Sequence, residues 1–191
     1  MTESELIKRC KNGDREAFNE LFSMYENKVI NIAYGMLSER EDAYDAAQEV
    51  FIKVYKNIAS FKENSSLSTW IYRITSNTCN DILRKRQRNS LTISLNTTFD
   101  DGEKDMELRD NSPTPDEYAE YNETQRAVRK AIKELSDEYR EVITLCDIED
   151  MSYEDISNIL NCPVGTVKSR INRARKALKK KLSESMELFL N

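Results

Sequence analysis

Residues 152–178 read S-Y-E-D-I-S-N-I-L-N-C-P-V-G-T-V-K-S-R-I-N-R-A-R-K-A-L, and this stretch decides the architecture. Ser152 followed three residues later by Asp155 has the form of a capping box, which predicts a helix from Tyr153 to Leu160. A tight Asn161-Cys162 turn follows, and Pro163 stands where a proline suits a helix start. Val164, Val167, Ile171, Ala174 and Leu178 then recur at spacings of three and four, forming one apolar stripe. At about 100° per residue, Thr166, Ser169, Arg173, Lys176 and Lys180 fall opposite that stripe. From Lys168 to Lys181 there are eight basic residues and no acidic one, in a chain whose net charge is −5. The outward face is therefore an anion-binding surface. Helix, short turn and basic helix make a helix-turn-helix, whose second helix lies in a major groove.

The side chains on that helix divide by chemistry. Arg173 and Lys176 carry donors suited to guanine O6 and N7. Thr166 and Ser169 reach base edges or phosphates near the helix start, and Lys168, Arg170 and Arg175 flank them as phosphate contacts. The alternative is a basic, solvated helix that packs elsewhere; turn, stripe and charge together favour DNA. Upstream, helices are predicted from about Thr124 to Leu135 and from Asp137 to Asp147, the latter after a Ser136 N-cap.

Further outward the composition changes. Residues 1–98 carry a net +1, residues 99–123 a net −8 and residues 124–191 a net +2. Residues 89–123 read as an acidic linker with Pro113 and Pro115 and few apolar residues. A flexible segment of that length spans about 30–35 Å. The chain thus divides into a first domain at 1–88, the linker, and a second domain at 124–191.

The first domain is a set of amphipathic helices. A short helix near Ser4 to Lys11 is followed by Asn12-Gly13, and Asp14 is a good N-cap for a longer one. Ala17, Phe18, Leu21, Phe22, Tyr25, Val29, Ile32, Ala33 and Met36 lie on its inner face. A third helix begins after Ser38, with Ala43, Ala46, Ala47, Val50, Phe51, Val54 and Ile58 inward. A fourth runs from about Leu67 to Arg86 and ends in R-K-R-Q-R at 84–88. That basic end has two open readings, phosphate neutralisation or a solvated helix terminus favourable to the dipole.

With 191 residues, 33% charged, four Gly and three Pro, the expected fold class is all-α, two small helical domains with little or no sheet. No apolar run approaches the roughly 20 residues that span a bilayer, and the polar start lacks a secretory h-region. A cytoplasmic protein without direct membrane insertion is expected. The absence of His removes the commonest general base, serine-type triads and imidazole metal sites. Cys10, Cys79, Cys146 and Cys162 are widely spaced and read as reduced thiols rather than a metal or disulfide framework. No catalytic residue, metal or cofactor is expected, and an enzyme would have to use Asp, Glu, Lys or Cys without any visible cluster.

Three blocks, D-A-A-Q-E-V-F-I-K-V-Y at 45–55, S-T-W-I-Y-R-I-T-S-N-T at 68–78 and the 152–178 stretch, together resemble the bacterial extracytoplasmic-function sigma factors of the sigma-70 family. The resemblance covers both domains in the right order, as sigma region 2 and sigma region 4. It implies a transcription initiation subunit that binds core RNA polymerase, directs it to promoter DNA and assists opening. It implies that the helix carrying Asp45, Gln48, Glu49 and Phe51 docks on the polymerase clamp, although Phe51 reads as mostly core. It also implies that Phe61, Lys62, Asn64, Ser65, Trp70, Arg73 and Asn77 meet the minus-ten element. Trp70 lies on the apolar stripe and is a better core anchor than stacking platform, whereas the Asn77 amide offers both donor and acceptor for a base.

Thr166, Lys168, Ser169, Arg170, Asn172, Arg173 and Lys176 would meet the minus-thirty-five element. There Lys168 and Arg175 lie nearer the apolar rim, and Asn172 departs from the apolar or aromatic residue associated with its position. An anti-sigma factor is a further implied partner, and a monomer is implied for the free protein. The linker has three open readings: a mimic of nucleic acid inside polymerase, a cover for the basic faces, or a solubilising tether. An autonomous helix-turn-helix regulator is the alternative to a polymerase subunit.

Overall fold

The structure, a computed structural model, describes residues 2–93 and 115–189, with side chains for 2–89 and 124–184. Every element among the described residues is helical. Helices α1 (Glu3–Lys11), α2 (Arg15–Leu37), α3 (Arg40–Asn57) and α4 (Leu67–Ile93) form the first domain. Helices α5 (Pro115–Lys133), α6 (Asp137–Ile143), α7 (Tyr153–Leu160) and α8 (Val164–Phe189) form the second. Short 3-10 and π segments at Ile58–Ser60 and Thr144–Ile148 follow α3 and α6. The expected all-α, two-domain class is the observed one. Most of the acidic linker lies outside the described residues.

Local chemistry sets the helix ends. At α1 the Thr2 hydroxyl accepts from the Glu5 N–H at 3.3 Å while the Glu5 carboxylate accepts from the Thr2 N–H at 3.0 Å, a complete capping box. Gly13, at φ +81°, turns the chain. The Asp14 carboxylate then accepts from the N–H groups of Glu16 and Ala17 and from Arg9 Nε at 2.7 Å. The Arg9 bond first, and the backbone bonds with it, hold the Asp14 pKa below the usual carboxylate range. Ser38 closes α2 in the left-handed region, so α3 begins at Arg40 with Glu39 in the cap position.

Three helices differ in extent from the sequence reading. Helix α4 continues to Ile93, α5 begins at Pro115, and α6 gives way at Thr144 to the π segment. Ser136 stands at the N-cap of α6 without a side-chain cap bond; its carbonyl accepts from the N–H groups of Tyr139 and Arg140.

Two apolar clusters hold the molecule together. One lies inside the first domain, around Leu21, Val29, Val50, Val54 and Ile71. The other runs across both domains: Ile32, Met36, Ala46 and Leu83 pack with Val142, Leu145, Ile156, Val167 and Ile171. Sequence periodicity suggested two separate cores on a tether, because it assigns each stripe only an inward direction and not a partner.

A notch in α2 admits the second domain. A Cβ on Gly35 would lie 2.4 Å from Thr144 Cγ2 and 2.7 Å from its Oγ1. The Thr144 hydroxyl is buried without a hydrogen-bond partner, so the π segment is seated by shape rather than polarity. Gly35→Ala gains about 1 kcal/mol of helix propensity but meets an overpacking cost of about 1–3 kcal/mol at this contact. The expected outcome is a lower thermal unfolding midpoint for Gly35→Ala. Adding Thr144→Ala should recover most of the loss; an unchanged midpoint in the single variant would show that the notch is not needed.

Candidate nucleic-acid interface

The helix-turn-helix is built from α7 and α8. Ser152 Oγ accepts from the Asp155 N–H at 3.1 Å and donates to Asp155 Oδ2 at 2.6 Å, so the carboxylate binds the capping hydroxyl instead of the Ser152 N–H. Asn161 takes a left-handed conformation, φ 50° and ψ 49°, which asparagine tolerates better than most residues. Ser157 locks the turn by donating to the Cys162 carbonyl at 2.6 Å. The Pro163 carbonyl accepts from the Thr166 and Val167 N–H groups at the start of α8. Ile156, Ile159, Val167, Ile171 and Ala174 are buried, as the stripe requires.

On the outer face Lys168, Ser169, Asn172, Arg173, Lys176 and Lys180 are exposed, and Thr166 is half-buried. Ser169 Oγ donates to the Thr166 carbonyl at 2.9 Å. Two of the flanking cations are engaged within the protein. Arg170 pairs with Glu138 at 2.8 Å, and Arg175 grips Asp147 at 3.1 and 2.5 Å, which raises the guanidinium pKa. The Cys146 thiol lies 3.6 Å from Arg175 and is pushed up chiefly by burial, with Asp147 adding to it.

In the first domain, the residues expected at the minus-ten element gather around the start of α4. Phe61 is buried, with its ring 5.1 Å from that of half-buried Trp70. The Lys11 ammonium lies 5.7 Å over the Phe61 ring and 2.7 Å from Glu63, which takes a positive φ of 58°. Lys62 and Asn64 are exposed and Ser65 is half-buried. Ser66 Oγ accepts from the Thr69 N–H and shares hydrogens with the Ser68 and Thr69 hydroxyls, which caps α4. An open cleft between α1 and this loop is lined by Ile7, Phe61, Glu63, Ser65 and Leu67 among others.

Asn77 is exposed, whereas Arg73 donates through Nε at 3.1 Å and Nη2 to the Asn158 carbonyl of α7. Ser76 and Asn80, which sequence reading did not single out, both donate to Glu141 of α6. Their partner is more than 60 residues away, and the available signal was two polar residues one turn apart.

On α3, Asp45, Gln48 and Glu49 are exposed beside the large side chains of Tyr44, Ile52 and Tyr55. Phe51 is 4% exposed, with its ring 4.5 Å from that of Phe22. It supports this face from beneath rather than forming it.

Residues 21–89 match the family model for sigma-70 region 2, and residues 125–178 match that for sigma-70 region 4. The ECF RNA polymerase sigma-E factor of Haemophilus influenzae is 38% identical over 97% of this chain and 98% of its own length. The chain belongs to the ECF RNA polymerase sigma factors. SigW of Bacillus subtilis, another such sigma factor, is 36% identical over 93% of this chain and 95% of its own. The sigma factor RpoE of Bartonella quintana, solved in complex with the anti-sigma factor NepR, superposes with a TM-score of 0.69. It is 26% identical over 87% of this chain and 96% of its own. Sigma factors are transcription initiation subunits, and α7 and the first part of α8, up to Leu178, fall within region 4 while α3 and most of α4 fall within region 2.

The left-handed turn of the sigma factor's helix-turn-helix is testable. Asn161→Gly is expected to leave the thermal midpoint essentially at its wild-type position. Asn161→Val should lower stability by about 1–2 kcal/mol, read by chemical denaturation. Equal stabilities for the two variants would mean that the turn relaxes to ordinary backbone angles.

Proposed function

We propose that this sigma factor reads its promoter through two surfaces and docks on polymerase through a third. Its function is to bind core RNA polymerase, direct it to specific promoters and assist DNA opening. The observation that carries the residue-level reading is the exposed row Ser169, Arg173 and Lys176 on α8, backed by the buried stripe Val167, Ile171 and Ala174.

In this reading the row enters the major groove of the minus-thirty-five element. Arg173 and Lys176 donate to guanine edges, Asn172 adds an amide, and Thr166 and Lys168 hold phosphates. Arg170 and Arg175 reach phosphates only after exchanging Glu138 and Asp147 for the backbone. At the minus-ten element, Lys62, Asn64 and Ser65 offer polar contacts, and Asn77 reads a base of the opened strand. Lifting a base from the stack costs a few kcal/mol, and Phe61 on Trp70 gives that loop a rigid aromatic floor.

Asp45, Gln48 and Glu49 form the polar part of the polymerase-docking face, and exposed Tyr44, Ile52 and Tyr55 form its apolar part. An anti-sigma factor is a further partner in this reading, supported by the relative solved with one. No helix among the described residues is long and apolar enough to cross a membrane, consistent with action in the cytoplasm beside polymerase.

Run-off transcription with core polymerase over a library of promoter fragments tests the whole reading. Transcripts that depend on the protein and share two spaced elements are expected. Arg173→Ala with Lys176→Ala should reduce them by about ten-fold or more, as each lost base contact is worth about 1–3 kcal/mol. Duplex binding without any transcript would favour the autonomous regulator.

The docking face is tested separately. Asp45→Lys with Glu49→Lys should abolish capture by core polymerase while leaving duplex binding by α8 intact. Capture unchanged would move the docking face off α3.

A further inference from the structure

Arg73, Ser76 and Asn80 stand at spacings of three and four on α4, which places them on one stripe of that helix. All three are hydrogen-bond donors, and the second domain supplies an oxygen acceptor to each. Arg73 donates to the Asn158 carbonyl of α7. Ser76 through Oγ, and Asn80 through Nδ2 at 2.9 Å, donate to the same oxygen, Oε1, of Glu141 on α6.

The Glu141 contact is chemically unusual. Ser76 is 2% exposed and Glu141 6% exposed, so the carboxylate has given up its water. The residue whose charge helps it, Arg170, makes its own ion pair with Glu138. Burial pushes the Glu141 carboxyl upward, against the pull of the two hydrogen bonds. A carboxylate held chiefly by neutral donors is costly to bury, and hydrogen bonds to a charged acceptor offset that cost in part. Once α6 withdraws, Glu141 regains water and leaves two converging donors beside a guanidinium. Such a set fits another anionic, acceptor-only oxygen, that of a phosphodiester. It lies on the same helix segment as Asn77.

We propose that Arg73, Ser76 and Asn80 form a phosphate track for the opened promoter strand, and that Glu141 and the Asn158 carbonyl occupy it when the two domains are docked. This inference rests on the reading that α4 handles the minus-ten strand. It adds Ser76 and Asn80 to the residues of that function and makes the second domain a built-in competitor for the strand. Polymerase, by drawing the domains apart, exposes the track only where promoter DNA is at hand.

Fluorescence anisotropy of a labelled, mixed-sequence single-stranded DNA with the full chain tests it, because phosphate contacts do not depend on sequence. Glu141→Ala should tighten binding by about ten-fold or more relative to wild type, the scale of one hydrogen bond to a charged group. Gly35→Ala, which loosens the same docking from the other domain and leaves the carboxylate in place, should also tighten it. Adding Ser76→Ala and Asn80→Ala to Glu141→Ala should remove the gain with helical circular dichroism unchanged. No gain in either opening variant, or a gain that survives loss of Ser76 and Asn80, would overturn the proposal. Run-off transcription by the wild-type chain is scored independently. Its absence would refute the initiation reading, whereas transcripts without the strand-binding gain would refute the phosphate track alone.

Discussion

The Arg140 guanidinium sits where three helices meet, and the arrangement of the two domains depends on it. From the last turn of the short helix α6 it donates to the carbonyls of Lys133 and Leu135, at 2.7 and 2.9 Å, where α5 ends. It also donates to the Met36 carbonyl of α2 at 2.9 Å. Helix C-termini leave carbonyls without partners and carry negative dipole charge. A buried, always-charged fork of donors answers both needs at once. Burial opposes the charge and lowers the Arg140 pKa, with Asp137 pulling the other way. The carbonyls are what make a cation tolerable at a site 9% exposed. Lysine, with a single ammonium, would not span the two helix ends.

Around that anchor the interface mixes apolar and polar contacts in a graded way. Ile32, Met36 and Leu83 meet Val142, Leu145 and Ile156 at its centre. Lys28 binds Glu149 at 2.7 Å, with the carboxylate buried. Lys133–Glu39 and Gln87–Asp137 lie at the exposed edge, where such pairs contribute about 1 kcal/mol or less. The cost of separating the domains is therefore concentrated in the apolar centre, Arg140 and Glu141. A partner that offers alternative cover for those few groups can open the chain without unfolding either half. Under the proposed function, this lets the two surfaces assigned to the two promoter elements move apart.

Cys79 shows how completely the shared core excludes water. Its thiol is pushed up to about 12, by burial first and the nearby Glu141 charge second. Tyr72, which packs against both apolar clusters, is likewise pushed up to about 12 by burial. These groups stay neutral at physiological pH and serve as packing.

Local patterns carried most of the fold. The Ser152 cap, the Asn161 turn and the stripe from Val167 to Ala174 are short-range features. Their energies depend on neighbours three or four residues away, so the helices and the basic face of α8 are legible in the amino-acid order alone. The same held for Asp45, Gln48 and Glu49, left outward by the Ala46–Val50 stripe. The partner of each polar group that faces inward is set by the packing of the two domains. Arg170 and Arg175 read as free phosphate contacts until Glu138 and Asp147 appeared beside them. Ser76 and Asn80 read as ordinary helix residues until Glu141 arrived from more than 60 residues away. The notch at Gly35 likewise has its reason in Thr144, which comes from the other domain. Periodicity states which side of a helix avoids water, but the identity of what covers that side is a long-range property, set by how two separately encoded surfaces happen to fit.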